Sequence, residues 1–394
     1  MFMVHTIGYI LIITGIFGIL YIYFFYNLIL RIWAKFWKKE VKKDEQYEPQ
    51  ITIIIAAHNE EKLIEKSLSS IFQSDYPLNK IKVLVGSDGS TDKTTEICKK
   101  IADEINKNAK SDDSNILEVY DFPRAGKNQT LNNLTPLVKT DIIFFMDADI
   151  ILDKSTISKM VQNFADPEVG SVISPMIYIE EASEINAGSN GEKLYQSFES
   201  TTKMYESQIW STFNTLGAFY SVRRNLYKTL PNDRVCDDLM PIYNVNIAGK
   251  RVIYDTSVCV YEIREKSLNN ELSRRIRVSS GSMETIWAAK ELLSLKNLRN
   301  FFFLFSHKIV RYFSPLFLLL IFIGTLLIWK TGVISYILIL SITVFLLLSF
   351  VGYLFEEDKI KFFPAQFAIY FLTMNVGFIL AFFQFLKRSS NSKW

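Results

Sequence analysis

Two aspartates one residue apart, Asp147 and Asp149, close the run Phe144-Phe145-Met146-Asp147-Ala148-Asp149. The apolar stretch at 142–146 reads as a buried strand. Alternate residues of a strand point the same way, so both carboxylates can converge at its carboxyl end. Open α/β sheets bind their ligands at that edge. Paired hard oxygen donors suit Mg2+ or Mn2+, and such a cation suits a diphosphate. Taken alone, the pattern is also that of an acidic turn.

The elements that must carry these acids follow from the pattern upstream. Apolar runs at 51–57, 81–86 and 117–120 read as further strands. Segments 60–73, 93–105 and 127–137 read as helices. Strands alternating with helices imply an α/β domain with a doubly wound, mostly parallel sheet. The polar turns Ala57-His58-Asn59-Glu60-Glu61 and Ser87-Asp88-Gly89-Ser90-Thr91-Asp92 then share the sheet edge of Asp147 and Asp149. Asn59, Ser90 or Thr91 could equally be helix caps. His58 receives no role, and 107–115 reads as a polar surface loop.

The chain has 394 residues, 49% hydrophobic and 14% aromatic, with mean hydropathy +0.14. The excess sits at the ends. Segments 7–29, 313–329, 333–354 and 362–386 carry no charge and are each about long enough to cross a bilayer. Arg31, Lys35, Lys38, Lys39, Lys42 and Lys43 follow the first segment, which places that flank, and the domain after it, in the cytoplasm. Four crossings return the C-terminus to the outside. Lys387, Arg388 and Lys393 pull the other way, so a re-entrant or interfacial C-terminal segment stays open. Segment 301–311, with His307, Lys308 and Arg311, reads as an interfacial helix with its cations near headgroups. The expected division is a membrane helix at 1–36, a cytoplasmic domain at 37–281, interfacial helices at 282–312 and membrane segments at 313–394. Cys98, Cys236 and Cys259 form no metal or disulfide pattern, and a net charge of +3 gives no reason to expect nucleic acid. The apolar segments hold few polar groups, mainly Thr325, Ser341, Thr343 and Asn375, which disfavours a transporter or flippase.

The order and spacing of Ala57-His58-Asn59-Glu60-Glu61, Asp75-Tyr76-Pro77, Asp88-Gly89-Ser90-Thr91-Asp92, Gly126-Lys127 and Asp147-Ala148-Asp149 resembles the family 2 glycosyltransferases over about 50–281. Their nucleotide-sugar domain is of the Rossmann-like GT-A type. The resemblance implies that Ala57, Glu60 and Asp88 line a nucleoside pocket and that Lys127 lies near the nucleotide. It implies that Asp147 and Asp149 hold ribose and the metal–diphosphate. By side-chain chemistry alone, Lys127 could add charge to a phosphate, donate to the base or be a solvated helix-start lysine, and Arg124 is a second candidate. Gly217 and Ala218 correspond to a small-residue segment beside the sugar and acceptor; a tight turn into a strand is the alternative. Asp237-Asp238 aligns on the family's Glu-Asp motif, so Asp238 would be the general base of an inverting transfer. Asp237 keeps the charge of Glu but has a shorter reach. At 271–281, Arg274 stands for the family's Gln and Arg277 is retained, but Val278 replaces a Trp that stacks on sugar in polymer-making members. Arg274, Arg275 and Arg277 then bind diphosphate, or form a solvated basic face beside the membrane.

The expectation is a multi-pass, metal-dependent inverting transferase that uses a nucleotide sugar, first of all a UDP-sugar. Its acceptor would be a saccharide or lipid-linked molecule in cell-surface or exopolysaccharide synthesis. Single addition to a polyprenyl-linked acceptor is the alternative that the missing Trp favours. So few membrane helices make a poor pore alone, so an oligomer or an accessory protein would complete it; membrane lipid is a further expected partner.

Overall fold

The computed structural model describes residues 2–108, 115–180, 183–186, 190–215, 217–231, 238–263, 268–329, 331–354 and 362–387. Aliphatic residues fill β1 (Ile51–Ala57), and all seven are buried. A strand apolar on both faces needs cover on both. The other strands of its sheet are β2 (Ile81–Asp88), β3 (Leu117–Phe122), β4 (Ile142–Asp147), β6 (Val169–Ile173), β9 (Phe219–Arg223) and β10 (Arg251–Tyr254). Their order is β10-β6-β9-β4-β1-β2-β3. β1 runs parallel to β2 and β4, whereas β9 is antiparallel to both β4 and β6. Ile51, Ile53, Ile55, Phe144 and Met146 face one core. Ile54, Ala56, Ile143 and Phe145 face the other.

The four strands and three helices expected between 51 and 147 are present, with ends moved by a few residues. The helices are α3 (Ile64–Phe72), α4 (Thr94–Asn108) and α5 (Lys127–Leu134). Lys107 and Asn108, expected in a loop, complete α4; 109–114 lie outside the described residues. One expectation changes at the carboxylates. β4 ends at Asp147, and Asp149 sits in the tight turn that leads into β5 (Ile150–Leu152). The turn, and not strand alternation, therefore brings Asp149 beside Asp147.

A second sheet joins β5 with β7 (Met176–Glu180), β8 (Ser183–Asn186) and β11 (Val260–Ile263), in the order β5-β11-β7-β8. The last two strands, β10 and β11, thus belong to different sheets. Asp255 turns the chain between them, its Oδ1 accepting from the backbone N–H and hydroxyl of Ser257 at 3.0 and 2.6 Å. The remaining helices of the domain are α6 (Thr156–Gln162), α7 (Asn190–Ile209), α8 (Leu239–Ile247) and α9 (Leu268–Ala288).

The first apolar segment joins α1 (Phe2–Leu20), a π-helical turn (Tyr21–Phe25) and α2 (Tyr26–Phe36). With α13 (Val333–Leu354) and α14 (Phe363–Lys387) it makes three helices long and apolar enough to cross a membrane among the described residues. The expected span at 313–329 is only the 14-residue α12 (Ser314–Leu327). That is about 21 Å of helix, short of a hydrocarbon core of about 30 Å. It continues, through a 53° bend, the helical stretch Leu295–Tyr312, which contains α10 (Leu298–Leu304), a π-helical turn (Phe305–Ile309) and α11 (Val310–Tyr312). Pro315 lies in the first turn after the bend, where a ring without an N–H breaks helical continuity.

The bent pair lies antiparallel along the whole first helix. Phe303 stacks on Trp33 at 5.6 Å, Ser306 Oγ is 2.7 Å from the Tyr21 hydroxyl, and Gly324 meets Gly8. A Cβ on Gly324 would stand 2.6 Å from the Gly8 carbonyl oxygen, so small residues set this approach. Segment 301–311 is therefore the domain-side half of a broken path rather than a surface helix. Phe303, Leu304, His307 and Arg311 are buried. The cause is α7, which presents Glu199 and Glu206 two turns apart on one face. His307 Nδ1 lies 2.8 Å from Glu206 Oε1, and its Nε2 lies 3.2 Å from Glu199 Oε2. Arg311 pairs with Glu199, and the Tyr26 hydroxyl donates to Glu206 at 2.6 Å.

Candidate functional site

The polar turns at the sheet edge hold one another. Asn59 adopts φ 57°, a left-handed conformation that Asn tolerates better than most residues. Its Oδ1 accepts from the Thr91 N–H at 2.8 Å, across to the neighbouring turn. The cap at the start of α4 is Asp92, whose Oδ1 accepts from Thr94 N–H at 3.0 Å and from the Thr94 hydroxyl at 2.6 Å. Thr94 Oγ1 in turn accepts from Glu60 N–H at 2.7 Å. Asp88 is fully buried at the end of β2. Its carboxylate accepts from Ala125 N–H at 2.7 Å, Gly126 N–H at 3.0 Å and Arg124 Nη1 at 2.7 Å. Arg124 is thus engaged by Asp88, which shapes the turn that starts α5. Ala57 ends β1 and is buried.

Lys127, the first residue of α5, reaches back so that its Nζ is 2.6 Å from Asp147 Oδ1. Glu60, Asp147 and Asp149 form a negative group beside it. Burial, then Asp147 and Asp92, lifts Glu60 to about 7. Burial, then Asp147, Glu262 and Glu60, lifts Asp149 to about 8. Clustered, partly buried carboxylates favour either a proton or a cation. Among the described residues no three His, Cys, Asp or Glu side chains form a complete metal cage. Mg2+ in general binds through one or two carboxylates together with substrate phosphates.

The segment before β9 joins this group to Asp238. Asp147 N–H donates to the Ala218 carbonyl at 2.9 Å. Gly217 has φ +83°, and a Cβ there would stand 2.5 Å from Asp238 Oδ2. Glycine is required twice over, for its backbone angle and for the space it leaves. Asp238 stands at the N-cap position of α8 and makes no side-chain capping bond. α8 ends at Gly249, φ +71°, as a C′ glycine does. Asp237 lies outside the described residues.

On α9, Arg274 is half-buried and Arg277 exposed. Arg274, with Val278, lines a cavity on the membrane side of the domain. Arg277 faces out, so the structure does not bring these two arginines together in one pocket. Sequence reasoning passed over Glu199, Glu206 and Tyr370. A visible signal existed for the first two: glutamates seven apart on an amphipathic helix, in a chain whose later apolar segment carries His307 and Arg311 four apart.

Residues 52–230 match the family described as Glycosyl transferase family 2, and residues 142–355 match Glycosyl transferase family group 2. The chain belongs to the family 2 glycosyltransferases. Within this family it is 24% identical over 269 residues to the poly-beta-1,6-N-acetyl-D-glucosamine synthase of Staphylococcus aureus (strain COL), a match covering 67% of this chain and 61% of that relative. It is 28% identical over 236 residues to glycosyltransferase GlyA of Streptococcus pneumoniae, covering 56% of this chain and 31% of the relative. The chain therefore spans less than two thirds of the length of these curated relatives. A mannosyltransferase from Pyrobaculum calidifontis, solved with GDP-Man and Mn2+, superposes with TM-score 0.74 at 22% identity, covering 98% of this chain and 99% of that one. This likeness establishes the GT-A glycosyltransferase fold with its flanking apolar helices.

Proposed function

We propose that the protein is a membrane-bound inverting glycosyltransferase that moves a sugar from a nucleotide-diphosphate sugar to a hydroxyl of a saccharide or lipid-linked acceptor. The observation that carries this reading is the Gly217–Ala218 segment. Its Ala218 carbonyl holds the backbone of Asp147, and its Gly217 lies against the carboxylate of Asp238. A diphosphate beside Asp147 and Asp149 and an acceptor beside Asp238 would then meet across a backbone with almost no side chain. Asp238 accepts the proton of the acceptor hydroxyl as its oxygen forms a bond to the anomeric carbon. The bond from that carbon to the diphosphate oxygen breaks, and the nucleoside diphosphate leaves.

Asp147 and Asp149 would hold Mg2+ or Mn2+, which when bound supplies charge to stabilise the leaving diphosphate. Lys127 lies close enough to add a second positive charge to the same phosphates. Ala57 and Glu60 line the nucleoside side, and Asp88 keeps the 124–126 turn in place. In this reading the domain is cytoplasmic and the product belongs to cell-surface polysaccharide or glycolipid synthesis. The poly-beta-1,6-N-acetyl-D-glucosamine synthase and the Mn2+-bound mannosyltransferase are in keeping with it.

The test is nucleotide release by the detergent-purified full chain with Mn2+ or Mg2+, across UDP-, GDP- and dTDP-sugars and with membrane lipid extract as acceptor source. Metal-dependent release from one donor class, lost in Asp238→Asn and in Asp149→Ala, is expected. Release that survives both substitutions would sink the assignment.

A further inference from the structure

A cavity of about 170 Å3 lies where the catalytic domain meets the apolar helices. Arg274, Arg275, Lys308 and Arg311 line it, against one carboxylate, Glu199. That carboxylate already faces Arg311 and His307. Among the described residues, the polar atoms of the lining that are buried without a hydrogen-bond partner include Ser282 Oγ and Arg311 Nε. Ser282 is 2% and Arg311 5% exposed. A buried donor left unpaired costs free energy that a ligand oxygen would recover.

The other wall is apolar and belongs to the membrane part. Tyr370 and Phe378 of α14 and Tyr312 of α11 complete the lining. The Arg275 guanidinium lies 4.5 Å from the Tyr370 ring centroid and donates to its hydroxyl at 2.5 Å. On the domain side the cavity wall includes two residues next to segments of the proposed reaction centre, Thr215 and Tyr178. Thr215, in its wall, is two residues from Gly217. Tyr178, also in its wall, pairs in register with Glu262 of β11. Val278, at the position where a stacking Trp was expected, lines the same space. The cavity is thus furnished with cations and donors rather than with an indole platform for a neutral sugar.

We propose that this cavity receives the phosphate of a lipid-linked acceptor, with the lipid chain leaving along α14 and the acceptor hydroxyl pointing to Asp238. This rests on the transferase reading above and narrows its acceptor to a sugar carried on a polyprenyl phosphate or diphosphate, one of whose hydroxyls is the attacking group. Arg275, Lys308 and Arg311 supply the charge, and Ser282 supplies a hydroxyl donor.

The test uses the full chain in detergent, titrated with a short-chain polyprenyl phosphate, with the same polyprenol lacking phosphate, and with phosphatidylglycerol. UDP-, GDP- and dTDP-sugar binding with Mn2+ is measured on the same samples. Lys308→Gln removes a charge, and Ser282→Leu fills the space. The expected result is polyprenyl phosphate binding at least ten-fold tighter than either other lipid. Both variants should lose at least ten-fold in that affinity while donor affinity stays within two-fold, which also shows that they fold. Equal binding of the polyprenol would overturn the phosphate site. Equal binding of phosphatidylglycerol would make it a structural lipid site and overturn the acceptor role. Unchanged affinity in both variants would overturn the location. Failure of wild type to bind any nucleotide sugar would overturn the transferase reading, while the lipid comparisons judge the cavity by themselves.

Discussion

Asp238 and Asp149 carry different loads, and two predictions belong to them singly. If Asp238 is the general base, Asp238→Asn keeps the shape and loses the proton acceptor. Turnover should fall about 10²–10⁴-fold, with donor affinity unchanged in a calorimetric titration; an equal loss of donor binding would move Asp238 out of the acceptor side. Asp149, held up to about 8 by burial and by Asp147, Glu262 and Glu60, makes the metal-free protein sensitive to pH. The folded state keeps a proton there that the unfolded chain releases above its ordinary carboxylate range near 4. The folded state thus binds more protons across about pH 4–8, so this residue's contribution to stability falls as pH rises through that window. Asp149→Asn should therefore raise the melting temperature of metal-free protein at pH 8 and have little effect at pH 5. Mn2+ should raise wild type at pH 8 and leave Asp149→Asn nearly unmoved. An acid pair before an apolar turn was legible in the sequence, as was its affinity for a hard cation. The raised Asp149 was not, because Glu262 reaches it from β11, over a hundred residues away.

At the scale of elements, β9 does the joining. It enters the sheet antiparallel between β4 and β6, and that direction sets Gly217–Ala218 at the carboxyl end of β4. Gly217→Ala should cost stability of about 1–2 kcal/mol from its left-handed backbone. It should cost far more in turnover, because the added Cβ would stand 2.5 Å from Asp238 Oδ2. A variant that melts lower but turns over normally would show that the contact positions nothing. The small residues at 217 and 218 were visible in the sequence, as both a turn and a ligand approach. Choosing between those needed the partner strand, since an antiparallel insertion in a parallel sheet leaves no local periodic mark. The helix α7 teaches the same lesson in reverse. Its two glutamates look like ordinary solvated charges until His307 and Arg311 arrive from the bent pair. Glu199→Ala would strand Arg311 and His307 in the interior. A loss of about 3–5 kcal/mol is expected for breaking such a buried ion pair, read as poor detergent-stable yield or a lowered melting temperature. Glu199→Gln should recover part of it through the retained bond from Asn214 Nδ2, now 2.5 Å from Oε2.

For the whole molecule, the packing order predicts sidedness. The path from Phe303 beside Trp33 to Gly324 beside Gly8 runs the length of the first helix. α13 returns, since Gly352 packs on Ala365 and Ile369 at the start of α14. α14 then runs away from the domain, past Tyr370 beside Arg275 and Asn375 beside Ser314. Tags at the two termini should thus lie on one side of a vesicle and the catalytic domain on the other, checked by protease protection. Opposite-side tags would mean that the bent pair turns back within the bilayer. The cations after the first helix should dominate over Lys387, Arg388 and Lys393 in setting this orientation.

Local regularities were determined by the chain alone. Strands apolar on both faces announce a covered parallel sheet, and polar turns after each of them announce a shared ligand edge. Long uncharged runs announce membrane segments. Each is written within one or two turns of chain, where side-chain period and hydropathy act directly. What only the tertiary structure decided involves groups far apart in sequence. These are the turn that carries Asp149 beside Asp147, the glycine that lies on Asp238, the carboxylates of α7 that hold His307, and the cations that share one cavity with Tyr370. Their approach depends on how whole elements pack, and packing of distant surfaces leaves no periodic trace in the order of residues.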